Sequence, residues 1–247
     1  MRWALKRSGA NVAPWWEQLC VAGLWGGLLA LERRAFLQAM FSRPLVAATG
    51  MGFLLGDLQT GLFVGLLLEL FHLGGAALGA ALPDHDTLAA TTASAAAVLM
   101  APDGDASPAM WSLSVLLCGG GGGVGRLLER GLERHTSRLA RLAQRSAEEG
   151  ELRRAMRQNL WGMWSLFSAF AVVTMLGAGL GLLLARPVAA LPDPLLNGLA
   201  LAYPAMLSVS AACAAKGSRA RQAGYWAGLG GLLVALWMVA RRLSEGT

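Results

Sequence analysis

Charge is scarce in this sequence: Asp, Glu, Lys and Arg make up 15% of the 247 residues, against 55% hydrophobic residues and a mean hydropathy of +0.49. That balance excludes an ordinary soluble domain and indicates an integral membrane protein. Sustained alternation of apolar and polar residues is also missing, so the apolar stretches read as helices and not as barrel strands. Cysteine is rare too. Cys20, Cys118 and Cys213 are isolated, far apart and in apolar surroundings, with no CxxC spacing to support a metal or redox site, and they read as small core residues. The three histidines, His72, His85 and His135, have no nucleophile-like surroundings. Pro83-Asp84-His85-Asp86 brings two acids to one His with no third cluster, so no metal and no cofactor is expected. A net charge of +6 does not point to nucleic acid, because the basic residues flank apolar segments, where the positive-inside rule accounts for them. The basic start (Arg2, Lys6, Arg7) lacks a small-residue cleavage site and a soluble mature domain, so it is kept as part of the fold.

What the chain does have is a central stretch from Ser42 to Asp86. Within it, Gly61 to Leu82 is almost unbroken apolar sequence, long enough to cross about 30 Å of hydrocarbon, yet it carries Glu69 and His72. A carboxylate at that depth costs several kcal/mol, roughly, unless it faces protein or a water cavity. Gly61, Gly65 and Glu69 succeed one another at i, i+4 and His72 follows three residues on, so all four share the small-residue, close-packing face. Gly52 and Gly56 repeat the spacing upstream, and Gly75 and Gly79 downstream. Leu45 to Gly56 is too short to span alone. A glycine-interrupted half-helix leading to a buried acid is a transporter pattern, which makes Asp57 either a ligand at a helix break or a plain helix cap. Glu69 reads as a substrate or translocation residue, or as a structural partner of His72 or a neighbouring helix.

Around this centre the chain is read as follows. Residues 1–16, ending in Pro14-Trp15-Trp16, form an interfacial anchor. Gln18 to Leu31 is short and broken by glycines, so a re-entrant half-helix is expected. Arg33, Arg34 and Arg43 are topology signals, or Arg43 holds a loop or carboxylate beside the translocation path; Pro44 can start the next helix. Asp86 or Thr87 should cap a small-sided helix, packed within protein, that runs to Ala101. Pro102-Asp103-Gly104-Asp105 belongs to the outer side. Gly119 to Gly123 serves close packing or a deliberate break, since no GK[ST] follows. Residues 126–159 are an amphipathic cytoplasmic arm with leucines at helical spacing among alternating charges, able to lie on the membrane, grip a partner or cover its own protein. Leu160 to Ala185 is the clearest span, Leu195 to Ala215 returns, and Tyr225 to Ala240 ends in Arg241-Arg242, against the positive-inside expectation for a crossing. The expected fold is an all-α integral membrane protein, a polytopic helical bundle with discontinuous or re-entrant helices. It forms a single membrane domain over 1–247.

The matching positions Arg43-Pro44-Leu45, Leu55-Gly56-Asp57, Thr60-Gly61, Gly65, Glu69 and Pro83-Asp84 carry a family resemblance. The stretch resembles the signature region of the IIC permease subunit of mannose/fructose/sorbose-type phosphotransferase systems (PTS). The resemblance implies a chain that binds and conducts a sugar without holding a phosphohistidine and is not itself an enzyme. It implies pairing with a IID-like membrane subunit in a larger oligomeric complex, phosphorylation of the sugar by cytoplasmic IIB recharged by IIA, and a multi-pass place in the lipid of the bacterial inner membrane. Substrate-binding residues are then expected among Asp57, Thr60, Glu69, His72 and Asp84, with Arg43, Pro44, Gly56, Gly61 and Gly65 in structural and topological roles. Two other classes stay open: a permease independent of phosphorylation, with Glu69 and His72 as a proton relay, and a membrane scaffold or regulatory protein.

Overall fold

The computed structural model describes residues 14–36, 38–73, 84–101, 106–217, 228–233 and 236. Its first helix, α1 (Trp15–Arg34), runs unbroken for 20 residues, about 30 Å. The expected half-helix between Gln18 and Leu31 is therefore corrected. The glycines there do not break α1 but let another helix close on it: a Cβ on Gly27 would lie 2.7 Å from the Phe167 ring, and one on Gly23 2.6 Å from the Met175 side chain. Cys20, read as a core residue, is exposed instead.

Two helical hairpins follow. The first joins α2 (Pro44–Leu55) to α3 (Leu58–Leu73), 12 and 16 residues or about 18 and 24 Å, both short of the hydrocarbon thickness. Pro44 starts α2, where a missing amide costs nothing, and Gly56 ends it in the left-handed region at φ 90°. Gly52 and Gly61 face one another, a Cβ on Gly52 lying 2.8 Å from the Gly61 Cα, so the two backbones touch. The described part of the apolar run thus ends at Leu73, and Gly75 and Gly79 lie outside the described residues. The second hairpin joins α4 (Asp86–Leu99) to α5 (Pro108–Cys118). Every residue from Thr87 to Leu99 is buried, as the small side chains led one to expect. The cap of α4 is neither Asp86 nor Thr87: the His85 ring nitrogen Nδ1 accepts the Leu88 N–H at 3.1 Å, while Asp86 turns to Arg33.

The glycine run provides the turn from α5 into α6 (Gly121–Glu148) and also a close approach, the Gly122 carbonyl accepting the His85 N–H at 2.9 Å. α6 lies antiparallel to α7 (Leu152–Ala189), with Leu128 and Leu132 packed against Leu166 and Phe170 and a Ser146–Gln158 hydrogen bond of 3.2 Å. The arm at 126–159 is thus α6 and the first turns of α7 joined at Gly150, and much of its leucine stripe covers its own protein. α7 is one helix of 38 residues, about 57 Å, packed so tightly on α4 that a Cβ on Gly181 would sit 2.5 Å from the Ala96 carbonyl oxygen. α8 (Asp193–Gly217) returns beside α3 and α5. Among the described helices, α7 and α8 are long and apolar enough to cross a membrane. Leu176 and Leu183 point outward at 68% and 76% exposure, as they would toward lipid.

One end of the bundle gathers charge. Arg33 binds Asp86 and Thr87, Arg34 binds Glu129 at 3.1 Å, Arg43 binds Glu69 at 3.1 Å and Arg126 binds Asp84 at 3.1 Å. At this basic end the pairs tie α1 to α4 and α6, α6 to the start of α4, and, separately, α2 to α3.

Candidate functional site

The site is built along α3, from the hairpin tip at Asp57 to the basic end at His72. Asp57 is buried, and its carboxylate accepts the Thr60 N–H at 3.0 Å, the Thr60 hydroxyl at 2.5 Å and the Ala106 N–H at 3.2 Å. It therefore caps α3 and staples the tip of one hairpin to the connection of the other. The Thr60 hydroxyl also accepts the Trp111 indole N–H at 2.9 Å. Trp111 stacks on Phe63 at 4.6 Å and meets Tyr203 edge-on at 5.3 Å, and the Tyr203 hydroxyl donates to the Phe63 carbonyl at 2.9 Å. Carboxylate, hydroxyl and three rings from α3, α5 and α8 make a closed plug.

On the basic side of the plug lies a cavity of about 610 Å³ between α3, α5, α6 and α8. Leu67, Leu68, Phe71, Val115, Met206 and Val209 give it apolar walls. Its polar groups are His72, Ser210, Asp84 and Arg126, and Gly119, Gly120, Gly122 and Gly123 open its mouth by leaving no side chains there. His72 Nδ1 is tied to the Leu68 carbonyl at 2.8 Å, whereas the Arg126 Nε is buried without a hydrogen-bond partner. Mostly apolar walls with a few polar groups at one end suit a small ligand that must be held loosely enough to leave.

Glu69 is elsewhere. Its carboxylate takes the Arg43 guanidinium at 3.1 Å and the Leu45 N–H at 3.2 Å, so it binds one free amide at the start of α2. Its partner is a neighbouring helix and not His72, and Arg43 holds that carboxylate. Asp57 and Glu69 lie at opposite ends of α3, about 18 Å apart along its axis by helical rise, so one ligand cannot touch both. Of the five expected substrate residues, Asp57 and Thr60 are brought together, His72 and Asp84 line the cavity, and Glu69 stands apart from both.

Three features escaped sequence reading. Phe63, Trp111 and Tyr203 look like ordinary apolar residues until three helices converge on them. Glu32, at a helix end, accepts the Ser42 and Phe41 amides at 2.9 and 3.3 Å. Glu129, in the charged arm, is 4% exposed and lies 3.7 Å from His85 Nε2, beyond hydrogen-bond reach, its carboxylate being taken by Arg34. His85 stays neutral: burial and the Arg33 charge push its pKa down to about 3, against the smaller upward pull of Asp86.

Residues 16–237 match the sequence profile of a family described as the PTS system sorbose-specific IIC component. A stretch of 70 residues is 39% identical to the PTS system mannose-specific EIIC component of Escherichia coli (strain K12), and the same holds for Shigella flexneri. That stretch spans 28% of this chain and 23% of those relatives' length. Two solved structures are similar at 22% identity. One, described as "Structure of membrane protein", has a TM-score of 0.62 and covers 95% of both chains. The other, "CryoEM Structure of Mannose Transporter ManYZ and Microcin E492 (MceA) complex", has a TM-score of 0.54 and covers 93% of both. At that identity the likeness establishes the shared helical membrane fold.

Proposed function

Because the chain belongs to the family of PTS sorbose-specific IIC components, we propose that it is the membrane permease subunit of a mannose-type sugar phosphotransferase system, binding a sugar and passing it across the bacterial inner membrane. The family match over residues 16–237 carries this reading. By the positive-inside rule the basic end is cytoplasmic, so the cavity beside α3 opens to the cytoplasm and the aromatic plug closes it from outside. Sugar rings suit such a place, with aromatic faces for their apolar side and carboxylate and hydroxyl acceptors for their hydroxyls.

In this account Asp57 and Thr60 lie behind the plug and take sugar hydroxyls when it opens, while His72 and Asp84 meet the sugar in the cavity. Glu69, with Arg43, Pro44, Gly56, Gly61 and Gly65, holds the short α2–α3 hairpin in a shape that one rigid movement can carry. Alternating access then comes from hairpins moving as a block against α1 and α7. The phosphoryl group comes from a cytoplasmic IIB-like carrier recharged by a IIA-like protein, and a IID-like membrane subunit completes the complex. The mannose transporter named among the similar structures supports that partner class.

The test is sugar uptake into cells lacking their own mannose-type system, with this chain expressed beside its candidate partners and purified in mild detergent to see what accompanies it. Uptake that needs phosphoenolpyruvate, with recovery of a IID-like subunit, is the expected result. Uptake that ignores phosphoenolpyruvate would point to an independent permease and contradict the proposal.

A further inference from the structure

Through most of their contact α1 and α7 touch closely, because Gly23, Gly26 and Gly27 leave room for Met175, Thr174 and Phe167. Toward the basic end the two helices part, and a groove of about 650 Å³ opens between them. Leu28 and Leu31 of α1 and Trp161, Trp164 and Phe167 of α7 give it apolar walls, and Arg157 stands at its basic end. Arg157 is the one charged side chain among the described residues that line this groove. It is exposed, and among the described residues no carboxylate pairs with it. Arg153, Arg157, Trp161 and Trp164 follow one another at steps of four, four and three residues, which puts two cations and two indoles on one face of α7. The indoles are 61% and 58% exposed, and Trp164 stacks on Phe167 with ring centroids 5.5 Å apart.

The level of the groove narrows what can fill it. Arg157 lies about one turn before Leu160, where the apolar run of α7 begins, and from Arg157 to Phe167 the groove follows the helix for about 15 Å. It therefore passes from the headgroup layer into hydrocarbon, with the two indoles at the boundary such rings favour. On α1, Leu24 and Leu28 are 54% and 53% exposed one turn apart, so the groove continues into an outward apolar surface. An unneutralised cation above an apolar groove fits an anion that carries a hydrocarbon chain. An anionic phospholipid has both in one molecule: the guanidinium fork takes phosphoryl oxygens with paired hydrogen bonds, and an acyl chain covers the rings and leucines. A protein helix in the same place would cover the leucines but would need an acid of its own for Arg157.

We infer that the groove between α1 and α7 is a binding site for an anionic phospholipid of the cytoplasmic leaflet, with its phosphate on Arg157 and one acyl chain along Trp161, Trp164 and Phe167. Basic pockets between membrane helices on the cytoplasmic side take anionic headgroups in this way. The inference requires that the basic end be cytoplasmic, and it stands whether or not the chain conducts a sugar.

The experiment reads tryptophan fluorescence of the protein, purified with its membrane partners, in phosphatidylcholine nanodiscs. A rising share of the lipid is replaced by phosphatidylglycerol or phosphatidylcholine brominated on the acyl chain, because bromine quenches an indole it touches. W161F/W164F keeps the groove apolar and gives the signal of the remaining tryptophans. R157Q and the charge-retaining R157K are compared with wild type, and melting temperature verifies that each variant is folded. We expect brominated phosphatidylglycerol to quench Trp161 and Trp164 at shares where brominated phosphatidylcholine does little, R157Q to need about fivefold more of it, and R157K to follow wild type. Equal quenching of wild type by the two lipids refutes the site, and so does an R157Q curve that overlies that of wild type. Indoles that neither lipid quenches are covered by a partner subunit, which refutes it as well.

Discussion

Asp57, buried at the start of α3, and Glu69, half-buried near its end, are acids of one short helix whose partners give them different work. Glu69 neutralises Arg43 and the Leu45 amide in a partly exposed setting, so Glu69→Gln should lower stability by no more than about 1 kcal/mol, read as a small drop in detergent melting temperature. Asp57 accepts three hydrogen bonds in a buried tip, and Asp57→Ala strips a cap and leaves the Ala106 amide unpaired; a loss of about 2–3 kcal/mol is expected in the same assay. His85 predicts a pH effect of definite sign. Its folded pKa of about 3 lies below the ordinary value of 6.5, so the unfolded chain takes up its proton first. Stability from this group is complete above pH 6.5 and falls as pH drops toward 3, by about 2 kcal/mol between 6.5 and 5. His85→Asn keeps an acceptor for the Leu88 amide but does not titrate, so its melting temperature should fall less than that of wild type over the same range.

At the scale of elements, closeness and shortness organise the fold. Small residues bring α1 onto α7, α2 onto α3 and α4 onto α7 at backbone distance, the usual source of cohesion where lipid removes the hydrophobic contrast. Gly181→Ala drives a methyl into the Ala96 backbone and should cost about 1–3 kcal/mol, whereas Gly120→Ala meets nothing within 4 Å and should be nearly neutral; melting of the two purified variants checks the contrast. The small-residue face of α3 and the buried character of α4 were legible because spacing alone dictates which side chains share a face. The continuity of α1 was not, since glycine signals a break and a close contact with the same letter, and only Phe167 and Met175 on α7 decide between them. The cap of α4 was missed for a similar reason: a histidine ring can accept an amide as well as a carboxylate can, and here Arg33 draws Asp86 away.

For the whole molecule, the family was readable from the acids and glycines between Arg43 and Asp84, whereas the cavity was not. Its walls come from residues more than a hundred positions apart, and its plug from Phe63, Trp111 and Tyr203, which no local pattern links. If sugar passes through this cavity, filling the cavity must stop uptake. The most direct test is phosphoenolpyruvate-driven sugar uptake by a complex carrying Val209→Trp, which fills the cavity from a half-open position, beside Leu183→Trp on the outward apolar face, with assembly of both complexes verified by copurification. Uptake lost in Val209→Trp and retained in Leu183→Trp is the result predicted. Uptake undiminished by Val209→Trp would show that the sugar travels by another route.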